Sequence, residues 1–116
     1  ELGCGKGSIS IAFAKIGCEV KGVDISPELI NDALTSASEN NVNVDFVTED
    51  FYLTDLSGYD VVVMSSLFID SQKLAIKLAN LQSNTKVITS GNDISWKKPE
   101  ELLISESKTI VYRYII

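Results

Sequence analysis

Short apolar runs and helical patterns alternate along most of this chain, and that alternation narrows the available folds more than any other feature. "SISIAFAKIG" places Ile9, Ala12, Phe13 and Ile16 on one helical face and stops at Gly17, which suits a helix C-cap. "CEVKGVDIS" brackets Gly22 with Val20 and Val23, an apolar run of the kind buried in parallel sheets, and ends in a carboxylate. Ser26 suits the cap of the next helix and Pro27 its first turn, and "SPELINDALTSASEN" turns Leu29, Ile30, Ala33, Leu34 and Ala37 inward. "NVDFVTED" and "YDVVVMSS" read as strands, "DSQKLAIKLANLQ" as a helix and "TKVITSG" as a further strand. Strands joined by helical crossovers run parallel, so the expected class is α/β, a doubly wound, mostly parallel sheet covered on both faces.

The end of the chain departs from this pattern. "PEELLISES" and "KTIVYRYII" are too close for a helical crossover, which predicts an antiparallel hairpin at the sheet edge. Tyr112 and Tyr114 share one face of its last strand, a face expected in the core. At the other end, Glu1 and Leu2 read as the tail of a first strand whose body would lie upstream. Residues 1–116 are expected to form one domain.

Charge and composition exclude several functions. The 116 residues are 45% hydrophobic and 22% charged, enough for a real core. A net charge of −6 argues against general nucleic-acid binding, which needs clustered Lys and Arg. The chain has no histidine, which removes histidine base catalysis and the usual zinc ligands. Cys4 and Cys18 have neither metal-site nor disulfide spacing and read as small, buried or half-buried thiols in a reducing cytosol. No apolar stretch reaches the length of a membrane span, so a cytoplasmic protein without a metal is expected.

The functional signal lies in "ELGCGKG", where Gly3, Gly5 and Gly7 alternate directly before a helix. Glycine allows positive φ and lets a ligand approach the main chain. In a doubly wound sheet ligands bind beyond the carboxyl ends of the strands. Those ends carry Glu1, Asp24 and Asp50, with Glu49 beside it. Carboxylates accept hydrogen bonds and donate none, so a pyrophosphate would sit badly among them. A ligand with an ammonium, a ribose diol and an aminopurine would satisfy them one by one.

"ELGCGKG", "GVDIS" fifteen residues after Gly7, "TEDF" and the closing hairpin together resemble the class I, seven-strand S-adenosylmethionine-dependent methyltransferases. The resemblance implies a Rossmann-like fold and S-adenosyl-L-methionine as cofactor. It implies Glu1 toward the methionine ammonium, with Gly3, Cys4 and Gly5 along methionine and ribose and Gly7 completing the loop. It further implies Asp24 on the ribose hydroxyls, Ile25 against adenine, Asp50 on the adenine amine, Phe51 offering its amide and Met64 lining the pocket. Plainer alternatives are a chain end for Glu1, a neighbour of the helix cap for Asp24, a solvated loop acid for Asp50 and core for Met64.

"VMSSLF" lacks the Asn/Asp-Pro-Pro-aromatic sequence of adenine and glutamine-amide methylases. "TKVITSGNDISWKKPEELLISESKTIVYRYII" resembles the end of small archaeal protein-lysine methyltransferases and their mitochondrial relatives, in its basic-Val strand, its Trp96 ahead of Pro99 and its Val-Tyr-x-Tyr strand. The expected acceptor is therefore protein lysine, with no catalytic residue assigned. Open alternatives are a small-molecule or RNA methyltransferase, a nicotinamide-dependent oxidoreductase and a non-catalytic module of the same fold.

Overall fold

A computed structural model describes residues 1–65, 71–91, 93–94 and 97–116, in two compact units, Glu1–Thr54 and Asp55–Ile116. Trp96, Asp70 and the segment 66–68 of "VMSSLF" lie outside the described residues.

The first unit contains α1 (Ser8–Lys15), β1 (Lys21–Asp24), α2 (Pro27–Glu39) and β2 (Asp45–Thr48). β1 and β2 pair in parallel from Lys21↔Asp45 to Asp24↔Thr48. Leu2 forms a parallel bridge with Val23, so the residues before the glycines run alongside β1. Cys4, Ile11, Ile30, Ala33, Ala37 and Phe46 form its core. α2 begins as expected, with Ser26 as N-cap accepting from the Leu29 N–H and Pro27 at the first position.

The inward faces of the helices differ from expectation. In α1 the buried residues are Ser10 and Ile11, and Ile16 is 76% exposed. In α2 the face is Ile30, Ala33 and Ala37, and Leu34 is 46% exposed. α1 is a short helix with apolar residues almost all round, so periodicity alone does not select its face. Its C-cap is Ile16 rather than Gly17. The Gly17 N–H donates to Ala14 O at 3.0 Å and the Cys18 N–H to Phe13 O at 3.1 Å, the paired bonds that close a Schellman end.

The second unit contains β3 (Val61–Ser65), α3 (Ser71–Ala79), β4 (Lys86–Ser90), β5 (Glu101–Ile104) and β6 (Ile110–Ile115), in the strand order β3-β4-β6-β5. β3 and β4 are parallel. β6 runs antiparallel to β4, and β5 antiparallel to β6, the expected C-terminal hairpin.

Tyr114 on β6 is fully buried, with its ring 6.2 Å from that of the half-buried Tyr112. Its hydroxyl donates to Asp93 Oδ1 at 2.5 Å and accepts from the Ile94 N–H at 3.1 Å. It therefore holds the chain just after β4. Tyr114→Phe should cost about 1–3 kcal/mol, because the buried Ile94 N–H loses its acceptor; urea unfolding measures this. Burial, and then the bond to Asp93, push the Tyr114 hydroxyl up from 10 to about 12. A folded-state value above the unfolded one means stability that is complete below pH 10 and declines toward pH 12. Tyr114→Phe should flatten that alkaline decline.

Candidate functional site

The site residues of the first unit are held by the main chain around β1. The Val23 N–H donates to Glu1 O at 3.0 Å, and the Cys4 N–H donates to Val23 O at 2.8 Å. The chain then turns through Gly3, Gly5 and Gly7 at φ 69°, 55° and 83°. A β-carbon on Gly5 would meet nothing within 4 Å, so the main chain there borders open space. Gly7 faces the core, where a β-carbon would lie 2.5 Å from Phe46 Cζ and 3.1 Å from Ala33 Cβ.

Gly7 is also the N-cap of α1 and offers no side-chain cap. Glu1 supplies what the cap lacks, for its Oε2 accepts the Ser10 N–H at 2.9 Å and the Ser10 hydroxyl at 2.5 Å. A carboxylate there also complements the positive end of the helix.

Asp24 ends β1, and its two oxygens are divided between two segments. Oδ2 accepts the Gly5 N–H and Oδ1 the Ser26 N–H, each at 2.9 Å. Asp24 thereby ties the glycine loop to the start of α2. A carboxylate has about four lone-pair positions, so room remains for about two more donors. Ile25, next in the chain, is 72% exposed.

The Glu49 N–H donates to Asp24 O at 2.9 Å, extending the β1–β2 pairing past Thr48 and bringing Asp50 alongside. Asp50 Oδ1 accepts the Tyr52 N–H at 3.0 Å, and Glu49 Oε2 accepts the Thr54 hydroxyl at 2.7 Å. The half-buried Phe51 packs its ring 4.5 Å from that of Tyr52. Hydrogen bonds thus join Glu1, Cys4, Gly5 and Asp24 through β1, and Asp50 and Phe51 follow directly on Glu49, whose N–H is bonded to Asp24. Met64, buried in β3, belongs to the second unit.

Burial raises the Glu1 carboxyl above its ordinary value; the Ser10 hydrogen bonds oppose this, and Asp24 adds to it. Burial, with Glu1 and Asp24 reinforcing it, pushes the Cys4 thiol up to about 12. A thiol so firmly protonated is no nucleophile. Among the described residues no group of three His, Cys, Asp or Glu could hold a metal ion. What the strand ends offer is a row of hydrogen-bond acceptors beside an exposed aliphatic side chain and an open glycine main chain.

Ser10, Gly22 and Phe46 were not among the residues expected here. A β-carbon on Gly22 would lie 2.7 Å from the Phe46 ring, so Gly7 and Gly22 make the notch that seats Phe46. The sequence signals were a glycine inside a strand run and a serine within an apolar helix.

A family model described as a methyltransferase domain matches residues 1–91. A ribosomal protein L11 methyltransferase of Polynucleobacter necessarius is 33% identical over 113 residues, covering 93% of this chain and 34% of the relative. A putative protein N5-glutamine methyltransferase of Methanocaldococcus jannaschii is 35% identical over 74 residues, covering 63% of this chain and 38% of the relative. The chain therefore spans little more than a third of the length of these two curated relatives. The crystal structure of an RNA methyltransferase from Salinibacter ruber in complex with S-adenosyl-L-homocysteine superposes with a TM-score of 0.90 at 31% identity, over 99% of this chain and 77% of that one.

Proposed function

Since the chain belongs to the class I S-adenosylmethionine-dependent methyltransferases, with their Rossmann-like fold, we propose that residues 1–116 form its cofactor-binding domain and serve methyl transfer to a protein lysine. The observation that carries the cofactor reading is Asp24, whose carboxylate holds the open glycine loop and keeps lone pairs for further donors. Ribose hydroxyls are such donors. Glu1 would take the methionine ammonium, and the backbone of Gly3, Cys4 and Gly5 would follow methionine and ribose. Ile25 would cover adenine, Asp50 would accept its exocyclic amine and Phe51 would offer its amide. Gly7 would act from behind, by packing. Bound S-adenosylmethionine supplies a methyl group on a sulfonium; the protein's own task is to align the acceptor with it.

A protein acceptor is supported by the L11 methyltransferase similarity, and lysine by the C-terminal sequence and by the acidic balance, which would steer a cationic protein. A lysine must lose its proton before it attacks. A second reading, an RNA acceptor, is favoured by the Salinibacter ruber structure and opposed by the charge of −6. Among the described residues no helix is long and apolar enough to cross a membrane.

Thermal unfolding with S-adenosylhomocysteine and with NADH tests the cofactor. S-adenosylhomocysteine at one hundred times its dissociation constant should add about 2.7 kcal/mol of stability, and NADH none. Stabilisation by NADH alone would point to an oxidoreductase, and by neither to a non-catalytic module. For the acceptor, label from S-adenosylmethionine should enter a lysine-rich protein and fail to enter the same protein with its amines blocked.

A further inference from the structure

We propose that Ser10 is a positioning residue for the cofactor's amino-acid end: it locks one oxygen of Glu1 so that the other, Oε1, faces the ligand ammonium. This rests on the cofactor reading above.

Both Ser10 donors fall on the same atom, since Oε2 takes the N–H at 2.9 Å and the hydroxyl at 2.5 Å. Oε1 has no hydrogen-bond partner among the described residues. No buried side-chain oxygen or nitrogen among them is unpaired, so Oε1 is not a sealed, unsatisfied acceptor. A carboxylate that could rotate would present either oxygen; one pinned twice on Oε2 presents only Oε1.

Ser10 is 0% exposed, and its hydroxyl has no water to turn to. The Oγ–Oε2 separation is that of a charge-assisted bond. Gly22 provides the space, because a β-carbon there would stand 3.1 Å from Ser10 Oγ. The hydroxyl also favours the ionised form of Glu1, the form an ammonium needs. The other titratable groups that act with this carboxylate are Cys4 and Asp24, and the last works against ionisation.

Calorimetry on this chain tests the idea with two ligands, S-adenosylhomocysteine and 5′-methylthioadenosine, the second lacking the amino-acid end. Ser10→Ala should weaken S-adenosylhomocysteine roughly tenfold, because the carboxylate then turns about the one remaining Ser10 N–H bond and no longer presents Oε1 alone, and leave 5′-methylthioadenosine unchanged. The loss of S-adenosylhomocysteine affinity on acidification should also begin at a higher pH in the variant. Burial of Glu1 would then be less opposed, and the carboxylate would protonate earlier. Ser10→Cys, close in size but a weak donor, should show the same selective loss if Ser10→Ala unfolds. Equal weakening of both ligands would reduce Ser10 to a structural role and overturn the proposal, as would no change in either. A wild-type chain that binds neither ligand would overturn the cofactor reading itself, and this proposal with it.

Discussion

Gly7→Ala should destabilise the unit Glu1–Thr54 by roughly 2–5 kcal/mol, the sum of two separate costs. The first is conformational. Gly7 sits at φ 83°, and an L-residue held in the left-handed region costs about 1–2 kcal/mol. The second is steric, because the new methyl would stand 2.5 Å from Phe46 Cζ and 3.1 Å from Ala33 Cβ in a filled core, and overpacking of this kind costs about 1–3 kcal/mol. Domains of this size hold only about 5–15 kcal/mol in total. Gly5→Ala is the control, since Gly5 has φ 55° but nothing within 4 Å of a β-carbon. It should carry the conformational cost alone, about 1–2 kcal/mol. Urea unfolding of Gly7→Ala, Phe46→Leu and the double variant isolates the clash, for the two changes should couple by more than about 0.5 kcal/mol in the favourable direction. A Gly7→Ala variant no less stable than Gly5→Ala would mean that Phe46 yields and the notch is not a constraint.

That pair of glycines also marks the limit of what the sequence discloses. Spacing made Gly3, Gly5 and Gly7 one motif, yet their surroundings divide them: Gly5 borders open space and Gly7 borders Phe46, thirty-nine positions away. No local pattern carries that contact. The same long-range packing selects the inward face of α1, where apolar residues spread around a short helix left Ile9, Ala12, Phe13 and Ile16 as good a choice as the observed Ser10 and Ile11. By contrast, the cap of α2 was legible because Ser26 and Pro27 act within four residues of themselves. The C-terminal hairpin was legible because a short connection leaves no other pairing. Among the acids, Asp24 could be placed from its strand end. That its oxygens would be shared between Gly5 and Ser26 could not.

Asp24→Ala should lower affinity for S-adenosylhomocysteine at least tenfold and also cost the free protein about 1–3 kcal/mol. The binding loss follows from chemistry already counted. Two lone-pair positions remain on the carboxylate after Gly5 and Ser26 are served, and a ribose diol brings two donors. Each hydrogen bond to a charged group contributes about 1.5–3 kcal/mol, and 1.4 kcal/mol is already a factor of about ten. The stability loss has a separate cause. Without the carboxylate, the Gly5 and Ser26 N–H groups lose their acceptor, and the loop is no longer tied to α2. Calorimetry must therefore be run at a temperature where circular dichroism shows the variant folded. Asp24→Asn separates the two effects, because it keeps one oxygen acceptor and the shape of the side chain while removing the charge. Its stability should fall between wild type and Asp24→Ala, with ligand affinity still well below wild type. Asp32→Ala is the control for charge alone, an exposed acid on α2 remote from the strand end. Equal affinities for Asp24→Ala and Asp32→Ala would mean that the ribose is held elsewhere, and that Asp24 serves only to brace the glycine loop.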